Sequence, residues 1–159
     1  MNIGLVVYSK TGHTYEVISK LNEMFEKLGH NSTIERLISK DENEYNFDKI
    51  ELNGTSDLSS YDLIVFAAPV NGFKLAVCMK KYMMSAPSIK VPTVCFVTKA
   101  LPFKWTGGNS AINTMKSHIN SLGGNVLKSD VIVWNKKHNT KIEQFIQDIK
   151  QEVLKGIKT

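Results

Sequence analysis

The sequence predicts an α/β fold: a doubly wound parallel sheet of five strands with helices on both faces, a three-layer sandwich. Three observations carry this. Short runs that are apolar on both faces recur along the chain, as strands covered from each side require. Segments of helical periodicity alternate with them, and such alternation gives a parallel sheet with right-handed crossovers. The spacing of the runs points to strand order 2-1-3-4-5, with a ligand crevice at the carboxyl ends of strands 1 and 3. At 159 residues, 42% of them hydrophobic, the chain is expected to form one domain, 1–159, with a sizeable core.

The first strand is Ile3-Gly4-Leu5-Val6-Val7-Tyr8. The helix after it carries Val17, Leu21, Met24 and Leu28 at i, i+4, i+7 and i+11, and Gly29 provides its stop. A more alternating run from Asn31 to Ile38 is the second strand. Residues 39–60 are polar and acidic, with room for a short helix. Tyr61 to Ala68 is the third strand, which Pro69 is expected to end. A helix from Leu75 to Met84 stops before Pro87. Val91 to Thr98 is the fourth strand. Ile112, Met115, Ile119 and Leu122 mark a helix capped by Asn109 or Ser110 and stopped at Gly123-Gly124. Asn125 to Trp134 is the fifth strand, and Ile142, Phe145, Ile149 and Val153 mark the last helix.

This order opens three loops at one sheet edge. The first is Ser9-Lys10-Thr11-Gly12-His13-Thr14. It offers three hydroxyls, a run of backbone N–H groups, and a glycine that permits close approach of a ligand. The following helix points the positive end of its dipole at the same spot, so the turn suits a phosphate monoester. The second loop runs Pro69-Val70-Asn71-Gly72-Phe73-Lys74. Phe73 has two readings, a stacking face for a flat ligand or a core aromatic at a helix start. The third loop, 99–109, is long for a strand-to-helix connection and holds Lys99, Ala100, Phe103, Lys104, Trp105, Gly107 and Gly108. Long loops on a rigid sheet often carry function.

These three loops together resemble the flavodoxin family, and the resemblance covers nearly the whole chain. Residues 9–14 are similar to the family's phosphate-binding loop, in which hydroxyls and backbone amides hold the 5′-phosphate of FMN. The resemblance carries that role to Ser9, Thr11, Gly12 and Thr14 and to the backbones of Lys10 and His13. Pro69, Val70, Asn71, Gly72 and Phe73 resemble the loop that covers one face of the isoalloxazine. The Gly107-Gly108 pair resembles the glycine-rich third loop of the flavin and quinone reductase-like members, which makes Thr98, Lys99, Ala100, Phe103 and Trp105 candidate cofactor-binding residues beside it. Phe103 and Trp105 either cover the ring, form a subunit contact, or are the aromatics over which the loop itself folds. The resemblance thus implies an FMN-binding redox protein that transfers electrons or hydride. NAD(P)H or a redox protein is its partner, and a quinone or similar molecule its acceptor. A non-catalytic FMN-binding, sensing or interaction module is the alternative.

The chain departs from the acidic electron-carrier flavodoxins. Its three loops contain no Asp or Glu, and they hold Lys10, Lys74, Lys99 and Lys104. Residues 35–62 carry eight acids against three bases, whereas 63–159 carry fourteen lysines against four acids. A lysine about 8 Å from a developing negative charge, at an effective dielectric near 20, stabilises it by about 2 kcal/mol before screening. A less reducing cofactor than that of the carriers is therefore expected. A basic edge also attracts anions, which suits a nicotinamide dinucleotide or an acidic partner. No side chain is required as an acid or base.

Other classes lack their signatures. There is no Gly-Lys-Ser/Thr of an ATP loop, no glycine fingerprint for dinucleotides after strand 1, no acid cluster of a receiver domain, and no cysteine in the first loop for a phosphatase. Cys78 and Cys95 lie in apolar surroundings with no metal or redox spacing, and are expected to be buried thiols of a cytoplasmic protein. His30, His118 and His138 have no metal spacing and read as surface residues, while His13 either has a ligand role or an effect on the flavin semiquinone, or is an exposed loop histidine. Met83, Met84 and Met115 read as core or interface packing. The lysines form no nucleic-acid stripe, and neither a membrane span nor a signal peptide is expected. The aromatics and methionines near the third loop allow a homodimer.

Overall fold

The computed structural model describes residues 1–41, 45–53, 56–103 and 106–157. Among these, strands β1 (Asn2–Val7), β2 (Asn31–Arg36), β3 (Leu63–Asn71), β5 (Pro92–Lys99) and β6 (Asn125–Val133) form the parallel ladder, in the order β2-β1-β3-β5-β6. A two-residue strand, β4 (Lys74–Leu75), folds back antiparallel on β3. Leaving β4 aside, this is the expected order; with it the sheet has six strands. The helices are α1 (His13–Lys27), α2 (Val77–Ser85), α3 (Gly108–Ser121) and α4 (His138–Ile157). No helix among the described residues is long and apolar enough to cross a membrane.

The two faces of the sheet bury separate cores, because successive strand residues point to opposite sides. Ile3, Leu5 and Val7 of β1 pack with Val65 and Phe96 against Val17, Leu21 and Phe25 of α1 and Phe145 of α4. Val6, Ile64, Phe66 and Val97 pack against Met79 and Tyr82 of α2 and Met115 and Ile119 of α3. Each such side chain contributes about 1.5–3 kcal/mol when fully buried. Both cysteines are free and buried, and burial pushes the Cys95 thiol up to about 12.

Three local expectations need correction. Strand β3 does not stop at Pro69 but runs on to Asn71. The main chain of Ala67 accepts from Tyr8 N–H on the β1 side, and Pro69, two residues on, faces the same way. The β1 ladder has ended there at Val7, so the missing N–H of proline costs nothing. Helix α3 begins at Gly108 with Gly107 as its N-cap, ahead of Asn109 and Ser110. The buried stripe of α1 is Val17, Ile18, Leu21 and Phe25, rotated from the expected one, with Met24 only packed at its edge. Within the acidic stretch, one 3-10 turn (Leu58–Ser60) is the short helix, and Leu37, Ile50 and Leu58 are buried on the α2 side.

Candidate functional site

The end of β1 and the start of α1 define a built turn. Ser9 is buried, and its hydroxyl oxygen accepts from the N–H groups of Gly12 (3.2 Å) and Tyr15 (3.3 Å). Two accepted bonds leave the Ser9 hydroxyl proton to donate elsewhere. Gly12 takes a left-handed conformation (φ 94°) as the N-cap of α1, and no side chain caps the helix. A Cβ there would meet no atom within 4 Å. The N–H groups of His13 and Thr14 have no acceptor among the described residues. Helix N-termini leave such donors open, and an anion satisfies them.

Other elements hold this turn from three sides. Thr14 is buried, and its hydroxyl pairs with that of Thr98 at the end of β5, 2.8 Å away. The guanidinium of Arg36, the last residue of β2, reaches the Ser9 carbonyl at 3.5 Å and lies 5.0 Å from the Tyr15 ring. His13 is not an isolated loop residue. Its ring stacks on Trp134 at 4.1 Å, and Trp134 stacks in turn on His138 at 4.3 Å. Lys10 donates to the Tyr45 hydroxyl at 2.9 Å. Thr11 stays exposed.

The second loop is a hairpin rather than a helix start. Asn71 pairs with Lys74, and Val70 with Leu75, so Gly72 and Phe73 form a two-residue turn. Both have positive φ, 54° and 63°, as the hairpin turns that match strand twist require. A bulky residue seldom adopts that conformation. Phe73 is 55% exposed at the tip, so it is not a core aromatic.

The third loop is tied from beneath. The amine of Lys99, almost fully buried, donates to the Thr106 hydroxyl at 2.7 Å and to the carbonyl of Phe103, to which Thr106 also donates. Burial lowers the pKa of Lys99. Gly107 (φ 99°) lies against the hairpin, where a Cβ would sit 2.2 Å from the Phe73 carbonyl oxygen. At Gly108 a Cβ would press on the Lys99 stem and on Val131 at 2.9 Å. The glycine pair therefore seals the third loop to the hairpin and to β6. A cleft of about 320 Å³ remains between the two loops, lined by Val70, Gly72, Phe73, Lys99, Ala100, Leu101 and Thr106. Leu101 and Phe103 are exposed beside it. Lys104 and Trp105 lie outside the described residues.

The structure thus brings Ser9, Gly12, His13, Thr14 and Thr98 together at one end of the edge. Val70, Gly72, Phe73, Lys99 and Ala100 gather at the other, and Thr98 and Ala100 are two residues apart. Sequence reasoning missed Arg36, Tyr45, Trp134 and His138. The lone arginine of the chain, at the end of the strand beside β1, was the one readable signal.

Solved structures with this architecture are known. The fold is that of the flavodoxins. A Streptococcus pneumoniae TIGR4 flavodoxin superimposes with a TM-score of 0.67 at 13% identity, covering 96% of this chain and 99% of that one. The oxidised flavodoxin 1 of Bacillus cereus gives 0.67 at 14% identity, covering 95% and 98%. A Lactobacillus acidophilus flavoprotein in complex with FMN gives 0.62 at 16% identity, covering 91% and 97%. No family model matches the sequence, and no curated protein matches it. Likeness to flavodoxins therefore rests on the path of the backbone and on the loops it brings to one edge.

Proposed function

We propose that this flavodoxin-like chain binds FMN along the carboxyl edge of its sheet and serves as a redox protein. The observation that carries the reading is the turn at residues 9–14. The open N–H groups of His13 and Thr14, the free proton of the Ser9 hydroxyl and the empty space over Gly12 form a donor set for a phosphate monoester. The Lactobacillus acidophilus flavoprotein, which shares the fold, was solved in complex with FMN.

In this reading Ser9, Thr11, Gly12, Thr14 and the backbones of Lys10 and His13 hold the phosphate. The Thr14–Thr98 bond fixes the turn to β5, so the phosphate site and the start of the third loop keep one spacing. Pro69, Val70, Asn71, Gly72 and Phe73 form one wall for the ring. Thr98, Lys99, Ala100, Phe103, Gly107 and Gly108 build the other, and Trp105 is assigned to the ring on the resemblance alone. FMN, when bound, supplies one- and two-electron redox chemistry at its ring. The protein supplies placement, partial exclusion of water and charge.

The finer reading is reduction of a quinone or similar acceptor at the expense of NAD(P)H. Loops without acids, with Lys10, Lys74 and Lys99 near the edge, support an anionic donor and a potential above that of acidic carriers. Lys99 contributes at a distance, because its amine is turned onto the loop carbonyl.

The decisive experiment is titration of the FMN-free protein with FMN, followed by quenching of flavin fluorescence. One FMN per chain is expected, with FAD binding at least about tenfold more weakly. Replacing Ser9 by Ala should weaken FMN about tenfold, the effect of losing one charge-assisted bond of roughly 1.4 kcal/mol. A protein that stays colourless and leaves FMN fluorescence unquenched overturns the reading. Turnover of NADH or NADPH with a quinone then separates an enzyme from a carrier.

A further inference from the structure

Behind the hairpin lies a second and larger space. This groove of about 880 Å³ is bounded by the 45–47 segment, the hairpin and the first turns of α2 and α3. Val70 and Gly72 line both it and the smaller cleft, so the hairpin is the wall between them. The size is that of a site for a small organic ligand, roughly 300–1,000 Å³.

Its chemistry is two-sided. One wall is Tyr45 and Phe47, and each ring is held by a lysine from another element. The Lys10 amine lies 5.1 Å from the Tyr45 ring centre and donates to its hydroxyl. The Lys81 amine, from α2, lies 5.2 Å from the Phe47 ring centre and donates to the Phe47 carbonyl at 2.8 Å. Such contacts add about 0.5–1 kcal/mol each at exposed sites and keep the rings in place for a ligand to stack on. The groove is also lined by Lys74 and Lys80, both exposed, and by the hydroxyl-bearing Ser110. None of the described lining residues is acidic. A flat ring and an anion are wanted together. Two ammonium groups and a hydroxyl match a phosphate, with its three oxygens and nearly two charges, better than a carboxylate.

We propose that this groove binds a nucleotide, its phosphates between Lys74 and Lys80 and its base on the Tyr45–Phe47 wall. The site lies across the hairpin from the cleft assigned to the flavin ring, and the proposal stands without the FMN reading.

The test is amide NMR of the full-length, nitrogen-15-labelled protein titrated with ADP, with and without FMN. Lys80, Ser110 and Thr114 amides should shift saturably, while adenosine and inorganic phosphate each bind at least about tenfold more weakly. Lys80→Ala should raise the ADP midpoint about threefold, and a Lys74→Ala, Lys80→Ala double variant about tenfold, as exposed charge contacts do. The dispersion of the spectrum reports that the variants are folded. Shifts confined to residues 10–14, mutual exclusion of ADP and FMN, an ADP midpoint unmoved in the double variant, or no saturable shift at all would each overturn the proposal.

Discussion

Gly12 and Gly107 hold matching posts at the two ends of the carboxyl edge. Each is the N-cap of a helix, each has a positive φ (94° and 99°), and neither helix has a side-chain cap. Their surroundings are opposite. A methyl group on Gly12 would meet nothing, whereas one on Gly107 would overlap the backbone of Phe73. The first glycine keeps a space clear above a turn whose open N–H donors are consecutive residues. The second lets two loops, separated by more than thirty residues in sequence, touch. One edge thus contains a site made by adjacent residues and a seam made by distant ones.

The largest expected effect separates these roles. Gly107→Ala should cost about 3 kcal/mol or more, because a backbone clash adds to left-handed strain and the carbonyl cannot turn aside. Gly12→Ala carries only the conformational penalty of about 1–2 kcal/mol. Urea unfolding of both variants measures the gap. Equal losses would show that φ alone sets the requirement and that the seam is soft.

A smaller effect probes how the turn is anchored. Thr14→Val should cost about 1–3 kcal/mol, since it strands the buried Thr98 hydroxyl. Thr14→Val combined with Thr98→Val should recover part of that loss, and a double-mutant cycle by thermal unfolding checks it. Strict additivity would mean that the two hydroxyls do not act as a pair.

At the hairpin tip the sign reverses. Phe73→Gly should raise stability by about 1 kcal/mol by relieving a left-handed aromatic. The same change should weaken FMN binding under the proposed function. Melting temperature and flavin titration read the two together, and a destabilised variant would reveal packing by the exposed ring.

The mildest test uses pH. Burial holds both His30, which follows α1, and His118, on α3, below the ordinary imidazole range. Their folded values lie under the unfolded one, near 6.5. The stability they contribute is therefore complete above that pH and is lost as pH falls through the folded values. Unfolding midpoints should decline on acidification below pH 6.5. His30→Gln and His118→Gln should each flatten part of the decline, and unchanged slopes in both would assign it to carboxylates.

Much of the molecule was legible in the chain. Apolar runs gave the five long strands and their order, since burial on both faces leaves a periodicity that the eye can read. The turn at 9–14 was legible because its donors are consecutive residues. The readable signals failed where a residue serves a neighbour far away in sequence. Pro69 looked like a strand terminator, because nothing nearby in sequence tells that the adjacent strand has already ended. The Gly107-Gly108 pair could be read only by its resemblance to a cofactor loop, and nothing near it in sequence tells that the Phe73 backbone, the Lys99 stem and Val131 press on it. Lys99 counted as one of the charges around the edge, but its amine is turned onto the third loop.

By itself, then, the sequence determined the layers, the strand order and a local turn of consecutive donors, because periodicity and adjacency are properties of short stretches. Only the tertiary structure decided that Thr14 is locked to Thr98, that His13 stacks on Trp134, that Gly107 closes on Phe73, and that a second groove opens behind the hairpin. Each of those depends on the register between strands, which sets distances between residues that the chain itself keeps far apart.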